Sequence, residues 1–388
     1  MPQGILPCFL FLPELDFRGG NYDRRSGNFY VEKRRGIEYC PKCATPSEST
    51  YDHREVKLKD SPVRARAIYL HVRKRRLWCR PCRKPFTEPL GGVRKGSRTT
   101  ERYKAAILWA CENFSDLKSV RRAYRCSASY LYRALYQQLE LKRRTRQYPW
   151  PKVVGIDEHS FQKGHRYASV FVDYTNRRLF EVVQGKSGPE LWRGLAHTSG
   201  RENVRIAIID LADSFKSFVT EYFPNASIVA DKFHVLRLLS PALNRRRIQI
   251  TGDRRSLRLR RWLLRNGHSL SFAERSELHR WLEQDPQLGE LYSWKERLHG
   301  FYRIRGYHRA ERALTAMTDA MAISKLPEVL RLRRTLIRWR KPILAYFRYR
   351  VTNGRTEGYN NKAKLVKRRA YGYKSFENYR LRLLNACA

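Results

Sequence analysis

VVGIDEHSF, residues 153–161, decides the fold. A short apolar, β-branched run ends in Asp157, and such a run reads as a buried strand. VRIAIID at 204–210 repeats the pattern and ends in Asp210. Working outward, strands are expected at 152–157, 167–174 and 177–184, with a tight turn at Asn176 between the last two. A helix at 189–197, a strand at 204–210, a helix at 213–222, a strand at 226–231 and a helix from 232 complete the series.

The order βββαβαβα is that of a ribonuclease-H-like mixed sheet, in which the first and fourth strands lie side by side at the centre. Asp157 and Asp210 would then stand on neighbouring strands. A third acid, Glu357 in NGRTEGYNNKAKL, opens a Lys/Arg-rich helical stretch. Three converging carboxylates repel one another unless divalent cations neutralise them. Hard oxygen donors suit Mg²⁺, with Mn²⁺ as its substitute, and a pair of such ions is a standard clamp for displacement at phosphorus. IVADKFH offers a second candidate for the middle acid, Asp231, but strand order favours Asp210. Asp231 and His234 would line the rim, where His234 either touches a phosphate or satisfies a buried hydrogen bond. Strand alternation turns Glu158 away from Asp157, and Asp213 is also expected to point elsewhere. Glu357, Asn361, Lys364 and Arg368 share a helix face by spacing, which sets a metal-binding acid beside phosphate-binding cations.

The whole chain is basic: 80 Lys and Arg against 36 Asp and Glu give a formal net charge of +44 over 388 residues. The natural partner of such a chain is a large polyanion, bound with steep salt dependence. No lipidation signal and no apolar run of spanning length points to a membrane. The apolar stretch 5–12 has no basic region before it and no small-residue cleavage site after it, so a strand is expected there rather than a signal peptide. Eight cysteines, four of them in two Cys-x-x-Cys pairs, fit a reducing cytoplasm and a metal site.

Those pairs are Cys40-Pro-Lys-Cys43 and Cys79-Arg-Pro-Cys82. Thiolates at this spacing grip one tetrahedral zinc from both sides of a tight turn, and four protein ligands make the ion structural. Strands near 55–59 and 66–77 would close the long interval as a hairpin. The alternatives are His53 or His71 replacing one thiol, or no metal. Cys8, Cys111, Cys126 and Cys387 read as plain thiols. Gly91, Gly92, Gly96 and Ser97 mark a linker, and 148–152 (YPWPK) is a proline-bounded entry to the next domain.

Between them the chain is helical, with breaks near 114–115 and 126–127. Segments 115–124 and 127–138 resemble a helix-turn-helix with Ser127 as N-cap. Ser129, Tyr130, Tyr132 and Arg133 would face a major groove, and Arg121, Arg122 and Arg125 would hold phosphates. The bland alternative is a helical linker with a solvated basic face. Residues 241–349 interrupt the core with Arg-rich amphipathic segments such as 256–265, an expected α-helical insertion. Trp262, Trp281 and Trp294 there either pack in helix cores or stack on a distorted base.

GIDEHSF, FPNASIVADKFHV and NGRTEGYNNKAKLVKRRAYGYKSFENYRLRLL resemble the ISL-three-type bacterial insertion-sequence transposases, as do CPKC…CRPC and the helix pair. The resemblance implies an α+β multidomain chain. Its parts would be a zinc-ribbon-like DNA-binding domain at 1–95, a helix-turn-helix at 98–147, an RNase H-like core beginning at 150–240, the insertion at 241–349, and C-terminal core helices at 350–388. It also implies a DDE triad of Asp157, Asp210 and Glu357 on two Mg²⁺. The triad would cut double-stranded DNA at terminal inverted repeats and transfer the ends to a target. Asn361, Lys364, Lys367, Arg368 and Arg369 would hold the strand. The expected working form is a homodimer or larger on DNA, cytoplasmic and nucleoid-associated. The rival readings are a transposase-derived regulator without catalysis and a nuclease that never joins ends.

Overall fold

In β6 (Arg66–Cys79), Ile68, Leu70 and Val72 alternate inward and are buried, and this alternation anchors the first sheet. The computed structural model describes residues 14–388 except 114, 115, 163, 165 and 256. The apolar stretch 5–12, Cys8 and the break at 114–115 lie outside the described residues. Two compact units are present, one up to Leu141 and one from Lys142.

The first unit holds β1 (Leu15–Tyr22), β2 (Ser26–Lys33), β3 (Glu38–Tyr39), β4 (Pro46–Ser47), β5 (Thr50–Val63), β6 and β7 (Lys84–Thr87). The sheet order is β1-β2-β6-β5, with β7 added on β6. β5 and β6 form the expected hairpin, and it is longer at both ends than the apolar pattern suggested. The core joins Leu15, Val31, Leu58 and Leu90 to the inward face of β6. Helices α1 (Glu101–Asn113), α2 (Leu117–Ala123) and α3 (Ala128–Thr145) follow. Ser127 Oγ accepts the Tyr130 N–H at 3.2 Å, as expected of an N-cap. Ser129, Tyr132 and Arg133 are exposed. Tyr130 instead turns inward: its hydroxyl lies 3.2 Å from Thr99 Oγ1 and its ring packs on Tyr103.

The second unit begins with β8 (Val153–Gln162), β9 (Arg166–Asp173), β10 (Arg178–Gln184), α4 (Gly188–Leu195), β11 (Ile206–Ile209), α5 (Asp213–Tyr222), β12 (Ser227–Ala230) and α6 (Lys232–Leu236). The element order is the βββαβαβα of the sequence pattern. The sheet runs β10-β9-β8-β11-β12, antiparallel up to β8 and parallel beyond it. β8 does not stop at Asp157. It continues to Gln162, because His159 and Phe161 alternate onto a face that later helices cover. The turn after β9 is closed by Asp173, whose carboxylate accepts the Asn176 N–H at 2.9 Å and its side-chain N–H at 2.8 Å.

Helices α7 (Ser240–Thr251), α8 (Leu257–Leu264), α9 (Phe272–Gln284), α10 (Pro286–Phe301), α11 (Tyr307–Ala320), α12 (Pro327–Arg338) and α13 (Arg340–Tyr349) form the insertion. Trp262 and Trp294 are buried in its core and Trp281 packs against it, so core packing accounts for all three. α14 (Gly354–Arg369) and α15 (Phe376–Ala386) cover the sheet face bearing Phe161, Val170 and Val172. Among the described residues no helix is long and apolar enough to cross a membrane.

Gly155 decides how closely α14 approaches β8. A Cβ there would meet Thr356 Oγ1 at 2.4 Å and Asn353 Oδ1 at 3.0 Å, and both partners are buried. Gly155→Ala should therefore push the helix start away at a cost of about 1–3 kcal/mol. Calorimetry should show a lower Tm; an unchanged Tm would mean that α14 is not seated as described.

Candidate functional site

Among the described residues, two side-chain clusters stand out as candidate sites. In the first unit, Cys40 follows β3, Cys43 lies in the next turn, Cys79 ends β6 and Cys82 lies in the turn before β7. The turns are tight: Ala44 N–H donates to the Cys40 carbonyl at 2.8 Å, and Ala44 and Arg83 take positive φ. All four sulfurs lie within 4.8 Å of one another, with Cys43–Cys79 at 3.4 Å and Cys40–Cys82 at 4.0 Å. A tetrahedral zinc with bonds of about 2.3 Å requires edges of about 3.8 Å, so the cage has the right size. Hydrogen bonding to Thr45 pulls the Cys43 thiol down to about 6. Cys82 is pushed up to about 12, first by its hydrogen bond with Cys43 and then by burial. Successive ionisation of the four thiols is thus opposed, and a divalent cation removes that opposition. His71 is engaged elsewhere, 3.1 Å from Asn28 Oδ1, and among the described residues no histidine joins the cluster.

The second cluster lies in the second unit. Ile208 pairs with Gly155, and Ile209 pairs with Ala230. Carried forward, these registers bring Asp210 and Asp231, each one residue past the end of its strand (β11 and β12), level with Asp157 in β8. Asp157 and Asp231 line a cavity of about 550 Å³, with His234, Glu357, Asn360 and Lys364 also in its wall. Asp210 is half-buried beside this wall rather than in it. Glu357, in the first turn of α14, is exposed.

Burial pushes the Asp157 carboxyl up to about 6, and the charges of Asp210 and Asp231 add to the effect. Asp210 is raised by burial too, with Glu158 and Asp231 contributing. The expectation for Glu158 therefore needs correction. It lines the same cavity, pairs with Lys186 at 3.3 Å and burdens Asp210 with a like charge. Asp213 does point elsewhere, to Arg338 at 2.6 Å. Among the described residues, no set of three carboxylates draws its oxygens as close together as the thiols are drawn.

One side of Asp157 is held by a directed chain. Asn360 Nδ2 donates to Asp157 Oδ2 at 2.7 Å, so Asn360 Oδ1 is the acceptor toward His159 Nδ1, 3.1 Å away. His159 Nε2 must then accept the Tyr379 hydroxyl at 2.5 Å. Sequence spacing points to Asn361, but the structure places its neighbour Asn360 against Asp157. Asn361 is exposed and does not line the cavity, because Thr356, Asn360 and Ala363 form the face toward the sheet. The phase of the buried face was readable only from Thr356 and Ala363.

Asp231 holds two elements at once. One oxygen accepts His234 Nδ1–H at 2.9 Å, and the other accepts the Asn353 N–H at 3.2 Å, just before α14. The hydrogen bond to Asp231 raises the His234 pKa, and the charges of Asp231, Asp210 and Asp157 reinforce it. Of the cations, Lys364 lines the cavity, Lys367 Nζ donates to the Ser160 carbonyl, and Arg368 and Arg369 are exposed. In the first unit Arg121, Arg122 and Arg125 are exposed, and Arg125 donates to the Arg25 carbonyl at 2.7 Å.

Residues 154–383 match a family described as a transposase, of the DDE type named for ISL3. The chain belongs to that family. Residues 38–82 match the zinc finger of the transposases of IS204, IS1001, IS1096 and IS1165, which identifies the thiol cage as a structural zinc site. The transposase of insertion sequence element IS1001 from Bordetella parapertussis is 26% identical over 373 residues, covering 92% of this chain and 91% of its own. The transposase of IS1557 from Mycobacterium tuberculosis is 24% identical over 342 residues, covering 79% and 76%.

Zinc release by a chelator should yield one ion per chain and lower the Tm, and Cys79→Ser should bind less than one equivalent. Full release with an unchanged Tm would contradict a structural role. Tyr379→Phe leaves His159 without its buried donor and should cost about 1–3 kcal/mol in denaturant unfolding. A variant as stable as the parent would break the hydrogen-bond chain inferred here.

Proposed function

We propose that this protein is the transposase of a mobile DNA element. It binds the terminal inverted repeats of that element, cuts the DNA there and joins the freed ends to target DNA. The observation that carries the reading is the parallel pairing of β8 with β11, which brings Asp210, just past the end of β11, level with Asp157 beside a cavity lined by Glu357. The sheet order, antiparallel then parallel about a central β8, supports an RNase H-like core.

Asp157, Asp210 and Glu357 form the triad, and their hard oxygens suit two Mg²⁺ or Mn²⁺ ions. When bound, such ions supply neutralising charge, an activated water and stabilisation of the leaving oxygen. The residues of the chain do the rest. Asn360, backed by His159 and Tyr379, fixes one oxygen of Asp157. Asp231 aims His234 into the cavity, where it can meet a phosphate at the rim. Lys364, Lys367, Arg368 and Arg369 hold the strand, with Asn361 on the outer face of the same helix. Water attack frees a 3′-hydroxyl, which is then directed at target DNA in the same site. No protein nucleophile or covalent intermediate is required.

DNA-end recognition falls to the first unit. The zinc ribbon, a helix-turn-helix of α2 and α3, and exposed Arg121, Arg122, Arg125 and Arg133 present cations to phosphates. Ser129 and Tyr132 remain available to base edges. Holding two element ends together calls for a homodimer or larger on DNA, working in the cytoplasm at the nucleoid.

A strand-transfer assay with end-containing DNA and Mg²⁺ tests this. The expected result is a joined product that disappears in Asp157→Asn and Glu357→Gln. Cleavage without joining would indicate a nuclease, and neither product would indicate a regulator; both outcomes reject the proposal.

A further inference from the structure

The turn that ends α14 places its residues in an unusual order. Tyr371 N–H donates to the Arg368 carbonyl at 3.1 Å and Gly372 N–H to the Lys367 carbonyl at 3.0 Å. These are the paired bonds of a Schellman end, whose left-handed position normally belongs to glycine. Here that position is Tyr371, at φ +53°, and the glycine comes one residue later at φ +101°. Among the described residues, the other non-glycine positions with positive φ are alanine or arginine. A ring in this conformation is strained.

Packing does not account for the strain. Tyr371 is 95% exposed, and its ring takes part in none of the hydrogen bonds or ring contacts of the described residues. Tyr373, two residues on, packs against Tyr379 at 5.4 Å. The turn itself is fixed. Gln162 Nε2 donates to the Tyr373 carbonyl at 2.6 Å, and Lys367 Nζ donates to the carbonyl of Ser160, a cavity residue. Close by in the chain, Arg368, Arg369 and Lys374 are exposed. An outward aromatic on a rigid turn among cations has the make-up of a base-stacking platform.

We propose that Tyr371 stacks on an unpaired DNA base near the cleavage point. The inference rests on the DNA-cutting function proposed for the acidic cavity. At 1.5 Å per residue, Tyr371 lies roughly 20 Å along the helix from Glu357, or roughly six nucleotide rises. A base inside an intact duplex offers no free face, so the occupant is a base of a melted or single-stranded segment.

Anisotropy titrations on three DNAs test this: a fully paired duplex, the same duplex with a short unpaired bubble, and a single strand. Tyr371→Ala should weaken binding to the bubble and the single strand by about 5- to 150-fold. It should leave duplex affinity and its salt slope unchanged, and Tyr371→Trp should restore the loss. Tyr371→Gly should show the same loss while its Tm does not fall, which separates the ring from the backbone. Wild-type affinity of the Ala or Gly variant for the bubble and the single strand would overturn the inference. If the wild type binds no DNA at all, the proposed function fails with it; if the wild type cuts and joins while Tyr371→Ala binds unpaired DNA equally well, only this inference fails.

Discussion

The seating of α14 on the central strand β8 is the contact on which the second unit depends. A buried aspartate, Asp231, satisfies the Asn353 N–H with one oxygen and holds His234 with the other. Asn353 reaches back to the Ile156 carbonyl at 3.4 Å, and Tyr174 stands 3.3 Å from Asn353 Oδ1 and 3.2 Å from Thr356 Oγ1. Satisfied polar groups of this kind fix register, since any slip leaves several of them buried and unpaired. With the helix start fixed, Glu357 comes to the rim of the cavity that Asp157 lines.

That arrangement sets a problem of charge. Three aspartates come level, one in β8 and two just past the ends of β11 and β12, and burial raises two of them. His234, held by Asp231 and raised by the surrounding acids, offsets part of the repulsion. The helix start adds a favourable field, because the N-terminal end of α14 carries partial positive charge. Cations at the cavity are the natural complement to what remains. The thiol cage of the first unit obeys the same logic with softer ligands, and there the donors are already gathered to the spacing of one ion.

Much of this was legible in the sequence, for identifiable reasons. Short β-branched runs are distinct from Arg-rich amphipathic segments, so the order of strands and helices could be read. The adjacency of Asp157 and Asp210 followed from that order. The Cys-x-x-Cys pairs have a spacing that few other structures produce. The parts that escaped depended on tertiary contact. β8 runs past Asp157 because His159 and Phe161 are covered by α14 and α15, and nothing local in HSF announces the cover. Choosing Asn360 over Asn361 required the rotational phase of α14. The helix pattern alone turns Tyr130 toward a groove, because its pull toward Thr99 and Tyr103 is not local in sequence.

The most direct test is a structure of the protein on its end DNA with Mn²⁺, located by anomalous scattering. The expected result is a pair of metal peaks held by Asp157, Asp210 and Glu357. Peaks held by other side chains, with Glu357 still turned to solvent in that complex, would contradict it.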